Sequence, residues 1–249
     1  HGFQWPMSGL SEYSISQKDS FWTWRDLMYQ FVEKIEPEDL VIISKALYVD
    51  MLKAGYTEVG EFHYLHNSLN GQSFEQVDLL SSIMIESAIS VGIKICHLPV
   101  LYQYAGFGRK PLSNSQRRFK LSTDQYIDLV QSLRKKYHKT SGVVVGFAPH
   151  SLRAVEVEDV HHLFAELGLG HPVHIHISEQ RSEVEECIAS YKKRPVELLY
   201  SHVNVDSSWC LIHATHINKK EIKLITDSKA IVGLCPTTEA NLGDGLFPL

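Results

Sequence analysis

Two short histidine-containing segments carry the side chains best suited to metal-dependent hydrolysis. They are His174–Glu179, which reads HIHISE, and Leu211–His216, which reads LIHATH. In an extended strand, side chains two residues apart point to the same face, so His174 and His176 would share one face. Imidazole is a common zinc ligand, and a carboxylate beside a metal, here Glu179, can move a proton from water to a leaving nitrogen. Packed, hydrogen-bonded histidines are the alternative, but the recurrence of histidine in the second segment favours a metal site.

The elements that must position these side chains alternate along the chain. Helical patterns cover residues 21–35, 37–53, 74–90, 123–137, 156–167, 181–201 and 219–228. Six strand patterns lie near residues 57, 93, 143, 173, 210 and 230. This alternation predicts parallel βα units. A Rossmann sheet is the second choice, because no G-x-G-x-x-G follows any of the strands.

Polar side chains recur where the predicted strands end. They are His63, Tyr64, His150, His176, Glu179, His213 and Glu239. In a TIM-type (β/α)8 barrel, the C-terminal rim of the strands carries the chemistry. We therefore predict an α/β fold of this type, with residues 1–249 forming part of a catalytic barrel. Six strands do not close such a barrel, so the first and last barrel strands are expected outside the chain.

Composition narrows the class of protein. The formal net charge of -5 argues against a nucleic-acid surface, which would need a basic face. No apolar run is long enough to span a bilayer, so no membrane partner is expected. None of the four cysteines lies in a C-x-x-C pair, which disfavours a cysteine zinc site and is consistent with a cytoplasmic location.

The two histidine segments together resemble the amidohydrolase superfamily, in its mononuclear deaminase branch. That resemblance implies a metal bound by H-x-H after the first strand, His after the fifth and Asp after the eighth. His1, which opens the run HGFQ, corresponds to the second histidine of H-x-H, and His176 to the fifth-strand ligand. Counted with the first barrel strand before His1, the strand near residue 143 is the fourth, and it ends in residues 148–153 (APHSLR), with no lysine to carbamylate in a binuclear centre. One Zn²⁺ ion is therefore expected.

A finer resemblance runs in order through essentially all 249 residues. The stretches HGFQ, SFWTWRDLMY, EFHYLH, APHSLRAV, HIHISEQ, WCLIHATH and GLCPTTEANLGDG resemble the formimidoylglutamate deiminase family. This resemblance implies zinc-dependent hydrolysis of N-formimino-L-glutamate to N-formyl-L-glutamate and ammonia, a step of histidine degradation. It also implies that the family's small flanking β-sandwich domain is not part of this chain.

The same motifs imply which residues handle the substrate. Glu179 would take a proton from the attacking water and pass it to the leaving nitrogen, while His213 would hydrogen-bond the water or the intermediate. The substrate is a dicarboxylate, for which arginine guanidinium groups are good partners. The expected substrate-binding residues are Gln4, Arg25, Tyr64, His150 and Arg153. Arg117 and Arg118, in the long loop at 102–122, could guide an anionic substrate or fix the loop.

Two other functions stay open at this point. A guanine-type deaminase of the same superfamily would share the zinc site. It would need side chains that stack on the base and donors for the amide edge of the base, instead of paired arginines. A non-catalytic, truncated fragment is the alternative from a different class, because a metal ligand and two barrel strands are expected outside the chain. A homodimer is consistent with the family resemblance.

Overall fold

A computed structural model describes residues 1–9, 21–168 and 170–248, without the side chains of residues 21–26. The chain divides into two compact units. The first unit comprises His1–Val100 and Leu112–Gly146, and the second comprises Leu101–Pro111 and Phe147–Leu249. Each unit contains a parallel β-sheet, which confirms the predicted α/β class with parallel strands.

The first unit combines three parallel strands with helices that alternate with them along the chain. Its elements are α1 (Phe21–Val32), α2 (Pro37–Lys53), β1 (Glu58–His63), α3 (Leu79–Val91), β2 (Lys94–Leu101), α4 (Thr123–Tyr137) and β3 (Val143–Val145), with short 3-10 helices at Gly2–Met7 and Asn114–Phe119. The strand order is β1-β2-β3, with Glu58 opposite Lys94 and Ile95 opposite Val143.

The second unit repeats the same plan. Its elements are β4 (Ala148–Pro149), α5 (Val157–Leu167), β5 (Val173–Ile177), α6 (Arg181–Tyr191), α7 (Pro195–His202), β6 (Trp209–His213), α8 (Lys219–Ser228), β7 (Ile231–Gly233) and α9 (Pro236–Leu242). The sheet order is β5-β6-β7, and His176 lies opposite Ile212. Val173, Ile175 and Ile177 are fully buried on one face of β5, whereas His174 and His176 on the other face are only half-buried.

Departures from the predicted elements have local causes. The segment 181–201 forms two helices instead of one: Lys192, with φ 58°, ends α6, and Pro195 occupies the first turn of α7. The strand predicted at 142–149 is interrupted at Gly146. The helix predicted from residue 74 begins at Leu79, and α9 was not predicted. No helix among the described residues is long and apolar enough to cross a membrane.

Arg118 stabilises the fold of the first unit. The sequence left open whether this arginine guides an anionic substrate or fixes the loop at 102–122. Its side chain is 1% exposed and donates to the carbonyl oxygens of Val32 and Ile35, at 2.5 and 2.8 Å, and of Asn67, at 3.0 Å. The bond to Val32 satisfies a carbonyl group at the C-terminal end of α1, which the helix itself leaves without a partner, and the other two bonds tie the segments after α1 and after β1 to the loop. The neighbouring Arg117 donates to the carbonyl oxygens of Leu69 and Asn114, so both arginines fix the loop.

Replacement of Arg118 should therefore destabilise the fold. We expect Arg118→Met to lower the free energy of unfolding by about 3 kcal/mol, because three buried carbonyl groups would lose a charged donor. Arg117→Met is the matched control; its side chain is 35% exposed, and we expect a loss of about 1 kcal/mol. Chemical denaturation of the two variants measures the difference, and equal losses would contradict this account of Arg118.

Candidate functional site

Five of the predicted site residues lie together in the second unit, where β4, β5 and β6 end. This second-unit cluster consists of His150, Arg153, His176, Glu179 and His213. The imidazole rings form a row: the ring centroids of His150 and His176 are 4.9 Å apart, and those of His176 and His213 are 5.5 Å apart. A row of imidazoles beside a buried carboxylate is a suitable site for binding a cation and moving protons.

His176 has the protonation pattern of a metal ligand. Its Nδ1 donates to the carbonyl oxygen of His150 at 3.0 Å, which places the ring proton on Nδ1 and the lone pair on Nε2. Burial, with the neighbouring His150 and His213, lowers the pKa of His176 well below its ordinary value, so the ring is neutral. A neutral imidazole whose second nitrogen donates to a backbone carbonyl is the usual state of a metal-bound histidine.

Glu179 lies between a cation and an imidazole. Its Oε2 is 3.3 Å from Nη2 of Arg153, and its Oε1 is 3.5 Å from Nε2 of His213. The side chain is 9% exposed, so the ion pair with Arg153 is poorly screened by water. A carboxylate in this position can accept a proton and return it without leaving its partners.

Glu183, which the sequence analysis did not single out, holds Glu179 in place. Its carboxylate accepts hydrogen bonds from the backbone N–H groups of Ser178 and Glu179, at 3.0 and 3.1 Å. Its Oε2 is also 3.7 Å from Nε of Arg153. Glu183 therefore fixes the turn that carries Glu179 and supplies a second negative charge to Arg153.

The backbone leaves regular geometry where these side chains emerge. Ser178, His213 and Ala214 have φ values of 51°, 73° and 49°, in the left-handed region that non-glycine residues rarely adopt. Ile212 and the residue opposite it, His176, point to the same face of the sheet. In a regular strand the next side chain, that of His213, would point to the other face. The positive φ of His213 ends β6 at this residue, and its ring stacks on that of His176. Such strain is held by surrounding structure, here the bond from the Ala214 N–H to the Ile177 carbonyl oxygen.

Glu239 completes the second-unit cluster. Its Oε1 accepts from Nδ1 of His213 at 3.0 Å and from the backbone N–H of Cys235 at 2.9 Å. The other ring nitrogen of His213, Nε2, lies 3.5 Å from Oε1 of Glu179. The sequence places Glu239 beyond a strand end but does not reveal its task. In the structure, α9 begins at Pro236, with two residues between it and the end of β7, and holds Glu239 in its first turn.

The first unit holds a separate group, the first-unit cluster of His1, Gln4 and Tyr64. Nδ1 of His1 donates to the carbonyl oxygen of Phe62 at 2.9 Å, which is the same pattern as in His176. The ring of His1 also packs edge-on against Tyr64, with centroids 5.1 Å apart. Nε2 of Gln4 donates to the Tyr64 hydroxyl at 2.8 Å, so two predicted substrate-binding side chains contact each other.

A buried acid positions the backbone of this cluster. Oε1 of Glu61 accepts from the Gly2 N–H at 2.7 Å. A Cβ atom at Gly2 would lie 2.7 Å from Cε of Met84, so a larger residue there would require the flexible end of the Met84 side chain to move. The predicted substrate-binding residue Arg25 lies on α1, but its side chain is outside the described part of the structure.

Comparison with known proteins extends these observations. The model of the amidohydrolase family matches residues 1–249. A curated relative from Pseudomonas aeruginosa, named formimidoylglutamate deiminase, is 47% identical over 251 aligned residues, which cover 100% of this chain and 54% of the relative. This chain spans about half the length of the curated relatives it matches.

Solved structures agree with the sequence comparison. An amidohydrolase from Brucella melitensis superposes with a TM-score of 0.94 at 44% identity, over 99% of this chain and 55% of that one. The atrazine chlorohydrolase TrzN from Arthrobacter aurescens TC1, complexed with zinc, superposes with a TM-score of 0.80 at 16% identity, over 100% of this chain and 54% of that one. The second likeness concerns the fold alone.

Proposed function

Because this chain belongs to the amidohydrolase family, we propose that the protein hydrolyses N-formimino-L-glutamate to N-formyl-L-glutamate and ammonia. The arrangement of Glu179 between Arg153 and His213 carries the proposal, since it joins a proton-transfer group to a cation suited to a carboxylate substrate. The 47% identity to a relative named formimidoylglutamate deiminase supports this substrate over a purine base. The TIM-type barrel is the fold expected of the family, and the partial-barrel boundaries stay a prediction.

The proposed cofactor is one zinc ion, with His1 and His176 among its ligands. The fit rests on the Nδ1 atom of each ring, which donates to a backbone carbonyl oxygen and leaves Nε2 as the atom with the lone pair. Both assignments follow the resemblance of the two motifs, HGFQ and HIHISE. When bound, zinc would polarise a water molecule so that it attacks at neutral pH.

Glu179 supplies the acid–base chemistry in this proposal. Its carboxylate takes the proton of the attacking water and passes it to the nitrogen that leaves as ammonia. His213 hydrogen-bonds the reacting oxygen through Nε2, and Glu239 keeps the tautomer that makes this bond possible. Glu183 prevents Glu179 from turning away by holding its backbone N–H.

The dicarboxylate would be bound by the remaining predicted residues. Arg153 offers a guanidinium group beside Glu179, and burial, with Arg153 and His213 nearby, keeps the pKa of His150 low and its ring neutral. Gln4 and Tyr64 offer an amide and a hydroxyl group that already contact each other. Arg25 is proposed on its motif alone. A cytoplasmic location and a homodimer stay predictions of the sequence analysis.

Turnover of two substrates tests the proposed function. We expect the full-length, zinc-loaded protein to release ammonia from N-formimino-L-glutamate and to leave guanine unchanged. A strong chelator should abolish the activity and added zinc should restore it. Preferential turnover of guanine would favour the purine deaminase.

The ligand assignment has a separate test. Loss of bound zinc in His1→Ala and His176→Ala variants would support it. Full retention of zinc in both variants would contradict that assignment.

A further inference from the structure

The second unit contains a group of metal-binding atoms that is distinct from the predicted zinc ligands. Ligand atoms of His213, Cys235 and Glu239 all lie within 4.8 Å of one another. His213 and Glu239 are buried, and Cys235 is half-buried, so the group is reached from the side of the thiol. A tetrahedral zinc with bonds of roughly 2.0–2.3 Å keeps its ligands roughly 3.3–3.8 Å apart. Small side-chain shifts would therefore close the group around an ion.

The charges around this group favour a cation. Glu239 belongs to it, Glu179 lies 3.5 Å from the His213 ring, and Asp244 is buried nearby. Burial and the charge of Glu179 raise the pKa of Asp244 to about 6, which indicates crowding of negative charge. Burial, with Glu239 and Glu179, likewise raises the pKa of the Cys235 thiol. The thiol thus keeps its proton until a cation displaces it.

We propose that His213, Cys235 and Glu239 bind a second, inhibitory divalent ion of the zinc class. An imidazole, a thiolate and a carboxylate form a mixed set that suits zinc or cobalt and is a poor match for magnesium or calcium, which prefer oxygen ligands. A water molecule completes the tetrahedron. The ion would bind at elevated metal concentration, after the proposed catalytic zinc.

The protons balance in this binding step. Nδ1 of His213 now carries the ring proton that it donates to Glu239. If His213 binds the ion through Nδ1, its ring proton must move to Nε2. There it stays on the ring and donates a hydrogen bond to the Glu179 carboxylate. The Cys235 thiol releases its proton to solvent as its sulfur bonds to the metal. One divalent ion therefore enters and one proton leaves.

Inhibition follows from the same rearrangement and rests on the proposed function. The ion would withdraw Glu239 from its hydrogen bond with His213, and the relocated proton would occupy the nitrogen that faces Glu179. The ring of His213 would then be held by the ion and by Glu179, so it could no longer hydrogen-bond the reacting oxygen as proposed. Turnover should stop although the catalytic zinc and the substrate-binding residues are intact.

Cys235→Ser tests the site, with Cys96→Ser as its matched control. Cys96, like Cys235, is half-buried, and burial raises the pKa of its thiol to about 11. It lies on β2 in the first unit, away from the proposed site. The zinc-loaded, full-length protein is titrated with zinc and with cobalt(II). We expect one additional equivalent to bind in the parent and in Cys96→Ser, with a thiolate-to-cobalt charge-transfer band. In Cys235→Ser the band should be absent and the second affinity should fall about a hundredfold, because the thiolate is the softest ligand.

The activity of the same samples gives the second readout. Excess zinc should inhibit the parent and Cys96→Ser, whereas Cys235→Ser should keep its turnover at those concentrations. A second equivalent that binds unchanged to Cys235→Ser, or no second equivalent in the parent, would overturn the proposal. Metal binding and the cobalt band are measured without substrate. Failure of ammonia release would therefore refute the proposed reaction while leaving the metal site to be judged on its own.

Discussion

Glu179→Gln should lower kcat by a factor on the order of 10³, the middle of the range for loss of a general acid–base group. Glutamine keeps the size of the side chain and an oxygen for Arg153, but it cannot accept a proton at neutral pH. The expected loss therefore falls on the chemical step, with KM little changed. Steady-state kinetics of ammonia release from N-formimino-L-glutamate measures both quantities.

Two observations keep that result specific. Glu185→Gln, an exposed change of the same kind on α6, should retain the parent activity. Glu179→Gln should also retain its bound zinc, because Glu179 is proposed to move protons without binding the metal. Turnover equal to that of the parent would remove Glu179 from the chemistry, and loss of zinc would reassign it as a ligand.

Much of the fold was predictable because its signals are local. Pro37 opens α2 and Ser122 caps α4 through the Gln125 N–H, so both helices occupy the predicted ranges. The alternation of apolar residues with histidine in β5 predicted that His174 and His176 share one face, and the structure shows these two residues half-buried opposite a fully buried face. Two interruptions were not predictable from the length of a pattern: the gap at Gly146 in the strand predicted at 142–149, and the end of a helix before Pro195 in the segment 181–201. They depend on neighbouring elements or on a single capping residue.

The second-unit cluster was predictable in its members but not in its connections. Strand ends placed His176, Glu179 and His213 on one rim, because parallel strands deliver their C-terminal ends together. The bond between His213 and Glu239 joins residues 26 positions apart and depends on a left-handed backbone at His213. Histidine rarely adopts a left-handed backbone conformation, so the sequence does not predict one at His213. The contact between His213 and Glu239 is therefore visible only in the folded structure.

The position of Arg153 allows the proposed carboxylate-binding arginine and the proposed general base to lie side by side. Two buried carboxylates, Glu179 and Glu183, face its guanidinium group at 3.3 and 3.7 Å. Without Arg153 these negative charges would be buried beside each other and unpaired, which costs several kcal/mol. The remaining N–H donors of the Arg153 guanidinium group suit a substrate carboxylate.

Arg153→Met should therefore lower kcat/KM for N-formimino-L-glutamate by about a hundredfold or more, because a lost bond between charged groups costs roughly 3 kcal/mol. Arg181→Met, an exposed change at the start of α6, is the control and should have parent kinetics. Formamidine, which has the reacting carbon but no carboxylate, separates the two tasks of Arg153. If the arginine binds substrate, turnover of formamidine should fall far less than turnover of N-formimino-L-glutamate.

Equal losses on both substrates would show that Arg153 acts through Glu179 alone, and the carboxylate would then need another partner, with Arg25 as the remaining predicted arginine. Steady-state kinetics of Arg153→Met on both substrates measures the two losses in one variant.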